Sequence, residues 1–336
     1  MRLLVTGGAG FIGSAFIRLA LREDWASRLV NLDKLTYAGN LENVASAEAD
    51  PRYRFVHGDI LDPALLGSLF EREKFDAVLH FAAESHVDRS ILGPAAFVET
   101  NVRGTFQLLE AARAARTPRF LLVSTDEVYG SIPEPHDAAE SDLLHPSSPY
   151  SASKAGADLL ALSYFTTFGT PVLVTRASNN YGPFQFPEKL IPLMISNALE
   201  DRPLPIYGDG LQVRDWLHAD DHCRALHAVL LHGSAGEIYN VGGSRALPNR
   251  EVVELILDTL GKPRSLMTPV TDRPGHDRRY AITTEKLQKT TGWQAQIPFE
   301  QGLRDTIDWY RANTEWTARV KSGEYRSYYE RNYSAR

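Results

Sequence analysis

A single cysteine, Cys223, stands in this chain of 336 residues. No internal disulfide is possible, so the fold rests on its core and suits a reducing compartment, expected to be the cytoplasm. No apolar run reaches the roughly 18 residues that a membrane span needs. Met1 leads straight into Arg2-Leu-Leu-Val-Thr6, which reads as a first strand and not as a signal peptide. Low-complexity linkers and internal repeats are absent as well. Positive charge is not in excess: the net charge is −6, which argues against a general binder of nucleic acid or anionic membranes. What remains is an ordinary globular composition, 43% apolar and 23% charged, with length for one large α/β unit or two coupled domains.

In the first half, short aliphatic runs alternate with longer helical patterns. Residues 3–6, 29–32, 54–57, 77–81, 120–124 and 172–175 read as strands, apolar over most of their length as strands covered on both faces are. Helices are expected over 12–22, 63–71, 94–115 and 150–168. The alternation predicts a Rossmann-type, doubly wound parallel sheet. Beyond about residue 180 the rhythm changes. Pro183, Pro187, Pro192, Pro203 and Pro205 punctuate short elements, with helices expected over 191–199, 219–231, 249–260 and 300–311. We read a nucleotide-binding domain over 1–180 and a smaller α/β substrate domain over 181–336, with some later segments returning to the first sheet.

Gly7-Gly-Ala-Gly10-Phe-Ile-Gly13 follows the first strand and opens the first helix. Glycines at this spacing permit a tight turn and let backbone N–H groups approach a pyrophosphate at the positive helix end. Asp33, twenty residues beyond Gly13, closes the second strand, where a carboxylate accepts hydrogen bonds from ribose hydroxyls and favours NAD over NADP. Lys34 follows and has the charge for a 2′-phosphate, which keeps the second cofactor open. Asp59 and Ile60 come after the third strand, where an adenine ring would lie. Phe81-Ala82-Ala83-Glu84-Ser85 comes after the fourth, with small residues that allow close approach of a cofactor.

Ser148-Pro149-Tyr150 carries an N-cap serine and a proline at the first helical position. Tyr150 and Lys154 are then i and i+4 on one helix face. An ammonium beside a phenol, with a nicotinium nearby, favours the phenolate that takes a proton from an alcohol as hydride leaves the same carbon. Asp126-Glu127 adds what simple oxidation does not need. Once a sugar C4 is a ketone, the C5 proton is acidic enough for a carboxylate base, and the C6 hydroxyl leaves if it is protonated. Adjacent like charges push two such pKa values apart. Glu127, with the longer reach, is assigned as base at C5 and Asp126 as acid at C6. The bland reading of the pair is an acidic helix cap.

Together with Asp33-Lys-Leu35-Thr36-Tyr-Ala-Gly-Asn40, Ala83-Glu-Ser-His-Val-Asp-Arg-Ser90 and Ser124-Thr125-Asp-Glu-Val-Tyr-Gly130, these motifs resemble the extended short-chain dehydrogenases. They look most like the dTDP-glucose 4,6-dehydratases, NAD-dependent hydro-lyases of the epimerase/dehydratase group. The likeness continues through Arg176-Ala-Ser-Asn-Asn-Tyr-Gly182, Arg214-Asp-Trp216, Asp272-Arg-Pro-Gly-His276 and a tail motif at residues 322–325. By this resemblance Phe11, Ile12, Leu35, Thr36 and Thr100 join the cofactor site. Thr125 would hydrogen-bond the substrate O4, and Ser85, Asn179 and Glu188 would face the hexose or nicotinamide. Lys189, Leu190, Pro205, Tyr207, Arg214, Asn249, Arg273 and His276 would hold the nucleotide of dTDP-glucose. No metal is implied, and a homodimer is, through the helices over 94–115 and 150–168. An NDP-sugar 4-epimerase, a UDP-glucose 4,6-dehydratase and an inactive NAD(H)-binding protein stand as rivals; an epimerase has no use for the acid at C6.

Overall fold

The structure is a computed structural model and describes residues 1–243 and 245–321; the tail motif at residues 322–325 lies outside them. Seven parallel strands form the main sheet: β1 (Arg2–Thr6), β2 (Arg28–Asp33), β3 (Tyr53–His57), β4 (Ala77–His80), β5 (Phe120–Thr125), β6 (Val172–Ala177) and a late strand, Ile238–Val241. Their spatial order is β3-β2-β1-β4-β5-β6 and then the late strand. Reversal of order between β1 and β4 makes the switch point beyond which ligands of such sheets bind. The fold class read from the alternation is the one observed.

Strand side chains divide by parity. Leu3 and Val5 enter one buried cluster with Phe16 and Ile17 of the first helix (Phe11–Arg22). Leu4 enters the opposite cluster with Val30, Leu32 and Phe70. Burial on both faces is what an aliphatic run without polar alternation requires, and each such leucine contributes roughly 2 kcal/mol.

After β6 the chain leaves the sheet. Strands β7 (Asn179–Tyr181), β8 (Leu204–Tyr207) and β9 (Val213–His218) begin the second layer. Helix Ala219–His232 then returns to the first sheet and leads into the late strand, β10 (Ile238–Val241), which pairs in parallel with β6. Strand β11 (Ala246–Pro248) pairs with β9, and β12 (Met267–Val270) with β8. Tyr181, Trp216, Val253 and Phe299 lie in a separate core beneath these small sheets. Helix Thr314–Val320 docks back on the first half, with Trp316 Nε1 donating to Asn43 Oδ1 at 3.1 Å.

The helix expected over 94–115 is interrupted: Pro94–Phe97 and Thr105–Ala114 flank a wider π-type stretch, Val98–Gly104. Such local widening recurs at functional sites. Here it turns Asn101 toward the loop after β4, where its side chain accepts from Glu84 N and donates to Glu84 O and Ser153 Oγ. Among the described residues, no helix is long and apolar enough to cross a membrane.

Candidate active site

Three glycines in the first turn have three different constraints. Gly7 has φ +71°, and a Cβ there would meet Ala82 N at 2.6 Å. A Cβ on Gly13 would meet Gly7 O at 2.3 Å, so this glycine lets the helix close on the strand. At Gly10 the nearest obstacle is Gly7 O at 3.2 Å, which leaves space on the outer side. Gly10 is also the N-cap residue of helix Phe11–Arg22, and no side chain caps it. First-turn N–H groups, those of Phe11 and Ile12 included, are therefore free of a side-chain acceptor and suit a phosphate.

Asp33 ends β2 with its carboxylate buried. Oδ2 accepts from Ala9 N at 2.9 Å and Oδ1 from Leu35 N at 2.8 Å. Burial raises its pKa, and these two amides oppose the rise. Each oxygen keeps a lone pair for a ribose hydroxyl. Lys34 Nζ lies 2.7 Å from Asp59 Oδ2 in a largely exposed ion pair at the end of the second strand. Leu35 has φ +55°, and Thr36 is exposed, its carbonyl closing a turn with Gly39 N. Ile60 is buried in the core, where its side chain packs on Gly104. Phe81, Ala82, Ala83 and Ser85 form the half-buried loop beyond β4, and Thr100 is half-buried in the π-type stretch beside that loop. The set fits a dinucleotide: an uncapped helix end for the pyrophosphate and a buried carboxylate at the ribose position.

The catalytic face is built by β5 and the long helix behind it. Ser148 Oγ accepts from Ser151 N, Ser151 Oγ accepts from Ser148 N, and Pro149 occupies the first helical position, so helix Pro149–Phe168 starts where the sequence predicts. That start brings Tyr150 and Lys154 under the end of β5. Thr125, the last residue of β5, caps the short turn Asp126–Tyr129 by accepting from Glu127 N at 3.3 Å, and its Oγ1 lies 3.4 Å from Asp126 Oδ1.

Electrostatics separate these groups. Asp126 is 2% exposed, and burial first, then Glu127 and Asp215, raise its carboxyl well above the ordinary range. Its Oδ2 has no hydrogen-bond partner. Burial thus biases the Asp126 carboxyl toward its protonated form. Burial first, then Glu127, raise the pKa of Tyr150, so in the protein without NAD it is a neutral phenol. Lys154 Nζ donates to Val123 O at 2.8 Å, and burial lowers its pKa to about 8.

Facing this edge is a cleft of about 830 Å³, its open mouth included, between the loop after β4 and the second layer. It gathers Glu127, Asn179, Glu188, Lys189, Leu190, Pro205, Tyr207, Arg214, Asn249, Arg273 and His276 in one wall. Every residue predicted for substrate lies there except Ser85 and Thr125. Ser85 is at the rim, its carbonyl accepting from Lys189 Nζ at 2.6 Å. Buried atoms Asn179 Oδ1, Asn249 Oδ1, Gln212 Oε1, Trp216 Nε1 and Arg273 Nε in this wall have no partner within the protein. Unpaired buried polar atoms cost free energy, and a polar ligand would relieve them.

Further contacts brace the wall, and of their members Asp88, Arg89 and Tyr280 were not legible as site residues. Asp88 Oδ2 accepts from Tyr207 Oη at 2.8 Å, and its Oδ1 lies 3.5 Å from Arg273. Arg89 holds Glu188 Oε2 at 2.8 Å and lies 3.7 Å over the Tyr37 ring. Arg214 stacks 4.1 Å over Tyr280 and donates to the carbonyls of Val213 and Asp277. His276 pairs with Asp272 at 2.6 Å; burial and Arg273 lower its pKa to about 4. An Asp-Arg-Ser run after a strand was the only signal for Asp88 and Arg89.

Comparisons with known proteins agree with this geometry. The profile of the family described as GDP-mannose 4,6 dehydratase matches residues 4–306. A dTDP-glucose 4,6-dehydratase of Shigella flexneri is 51% identical over the whole of both chains. DesIV, a dTDP-glucose 4,6-dehydratase of Streptomyces venezuelae solved with NAD and the ligand designated TYD, is 52% identical with a TM-score of 0.93, covering 96% of this chain and 100% of that one. The dTDP-glucose 4,6-dehydratase of Bacillus anthracis in complex with NAD is 49% identical, TM-score 0.89, with the same coverage. With its doubly wound sheet, its Tyr150–Lys154 helix and its paired carboxyls, this chain belongs to the dTDP-glucose 4,6-dehydratase family of NAD-dependent epimerases and dehydratases.

Proposed function

We propose that the chain converts dTDP-glucose into dTDP-4-keto-6-deoxyglucose. The observation that carries this reading is a buried carboxyl biased to its protonated form, Asp126, beside a second one, Glu127, at the Tyr150–Lys154 edge. An epimerase has no step for such an acid.

NAD, when bound, supplies the acceptor for the C4 hydride and the donor of the same hydride to C6. The turn at Gly7, Gly10 and Gly13 receives its pyrophosphate, and Asp33 its adenosine ribose. Tyr150, as the phenolate that Lys154 and the nicotinium of bound NAD would favour, takes the proton of the C4 hydroxyl beside Thr125. Oxidation makes the C5 proton acidic, and Glu127 removes it. Asp126 gives its proton to the C6 hydroxyl, which leaves as water. Glu127 then returns a proton to C5. Hydride lost equals hydride regained, so no net NADH accumulates.

Arg214 and Arg273 supply the charge that a pyrophosphate wants, and Tyr207, Asn249, Pro205, Leu190, Lys189 and His276 line the nucleotide side. Ser85, Asn179 and Glu188 lie toward the hexose. A homodimer is supported by exposed apolar side chains on adjoining helical segments: Leu92 63%, Val98 54%, Phe106 39% and Leu159 59% exposed. Cys223 is buried and free, which suits a reducing cytoplasm.

The purified protein is to be assayed with dTDP-glucose and UDP-glucose. A 4-keto-6-deoxy product from dTDP-glucose, without net NADH, supports the proposal. Turnover of UDP-glucose alone would overturn the nucleotide assignment. Inversion at C4 without water loss would make the chain an epimerase, and binding without turnover a non-enzyme.

A further inference from the structure

We propose that Tyr280 and Asp277 form a proton path joining Glu127, the C5 base, to the protein surface while substrate fills the cleft. The inference rests on the dehydratase reading above and deepens it.

The path is a row of oxygens. Glu127 Oε2 lies 3.4 Å from Tyr280 Oη, and Tyr280 Oη donates to Asp277 Oδ2 at 2.8 Å. The same Asp277 oxygen accepts from Ser147 Oγ. Tyr280 is 3% exposed and Asp277 9%, whereas Ser147 is exposed, so the row leads from the interior to water. Glu127 meets the cleft on its other side, the side a bound hexose covers.

A tyrosine hydroxyl has one hydrogen and two acceptor positions. With the hydrogen committed to Asp277 at the shorter distance, the oxygen presents a lone pair toward Glu127. That is the orientation for accepting a proton from Glu127 once the base has taken one from C5. A separation of 3.4 Å is long, of the kind that tightens when ligand binds. Arg214, stacked on the ring, holds the phenol in register and ties it to the pyrophosphate end of the cleft.

The transfers balance without redox change. Glu127 gives the C5 proton to Tyr280 oxygen as Tyr280 gives its own to Asp277. Asp277 releases a proton to water beside Ser147 and takes up a solvent one; the Tyr280 hydroxyl then turns to Asp277 and exchanges its C5-derived hydrogen for that proton, which the same bonds carry back to Glu127. Glu127 then delivers a solvent-derived proton to C5. A Tyr280 that merely spaced the two carboxylates would leave the origin of that proton unchanged.

Single turnovers of the NAD-loaded enzyme in deuterium oxide, with C5-protiated dTDP-glucose, decide the matter by NMR of the product. Wild type is expected to place deuterium at C5 in most product molecules. Tyr280→Phe keeps the ring over Arg214 but breaks the path, so at least about half of that deuterium should be lost, with the original proton returned by Glu127. Asp277→Asn breaks the next link and is expected to do the same; it carries the test if the first variant fails to fold. Wild-type deuterium content in a folded variant that still turns over overturns the path. Absence of product from wild type instead overturns the dehydratase reading, so the two failures are distinct.

Discussion

Lys154 donates to the backbone carbonyl of Val123 at 2.8 Å, so the ammonium of the catalytic helix is tied to the strand that ends in Thr125. Its buried charge has a thermodynamic consequence. Burial lowers the pKa to about 8, with Asp158 opposing. Between that value and the ordinary lysine value of about 10.4, the unfolded chain binds more protons than the folded one. Stability contributed by this group therefore rises with pH through that window, and its penalty is fully present below it. Lys154→Met should abolish turnover yet stabilise the cofactor-free protein at pH 7 by on the order of 1–3 kcal/mol, seen as a higher melting temperature. Melting scans should show the advantage shrinking toward pH 10; an advantage constant with pH would exclude Lys154 as the titrating group.

The two carboxyls should fail in different steps. Asp126→Asn keeps the shape but has no acidic proton, so water loss should slow by about 10²–10⁴-fold while C4 oxidation and C5 exchange persist. Glu127→Gln should stop C5 exchange and still permit transient NADH formation. Rapid-mixing absorbance and NMR of C5 read the two effects. Equal loss of exchange in both variants would contradict the division of labour.

Asp88 holds Tyr207 and Arg273, two residues of the opposite layer. Asp88→Asn weakens both contacts without opening a cavity. KM for the sugar nucleotide should rise about tenfold, equivalent to about 1.4 kcal/mol, with kcat within about twofold. A fall in kcat at constant KM would instead mean that Asp88 acts in the transition state.

Asp33 accepts from the amides of Ala9 and Leu35, and the proposed function adds a ribose to these partners. Asp33→Asn should weaken NAD about tenfold and narrow the gap to NADP, measured by calorimetry on the cofactor-free protein. Unchanged NAD affinity would reduce Asp33 to a brace of the glycine turn.

The sheet strands were legible because both-face burial leaves aliphatic runs with no polar alternation, as in Leu3-Leu4-Val5. Tyr150 and Lys154 were legible because a serine cap and a proline fix where their helix begins. The substrate wall was legible only through family likeness, since its residues come from four separated stretches. Asp88 escaped because it acts by a contact across the cleft to Tyr207 and Arg273, and Tyr280 and Asp277 because only tertiary contacts bring them beside Glu127 and Ser147; none of these leaves a periodic trace. The helix over 94–115 was drawn unbroken because helical spacing does not register one widened turn. Lys34 was assigned by charge, and its pairing with Asp59 is a tertiary fact that spacing does not show.

The return of residues 238–241 to the edge of the main sheet means that the molecule cannot be cut cleanly in two. A fragment ending near residue 180 would strip β6 of its outer neighbour and leave Val172–Ala177, buried along its whole length in the intact protein, as an open hydrophobic ladder. Such an edge recruits other strands. The nucleotide-binding half is thus a region of sequence whose solubility is lent to it by the chain that follows.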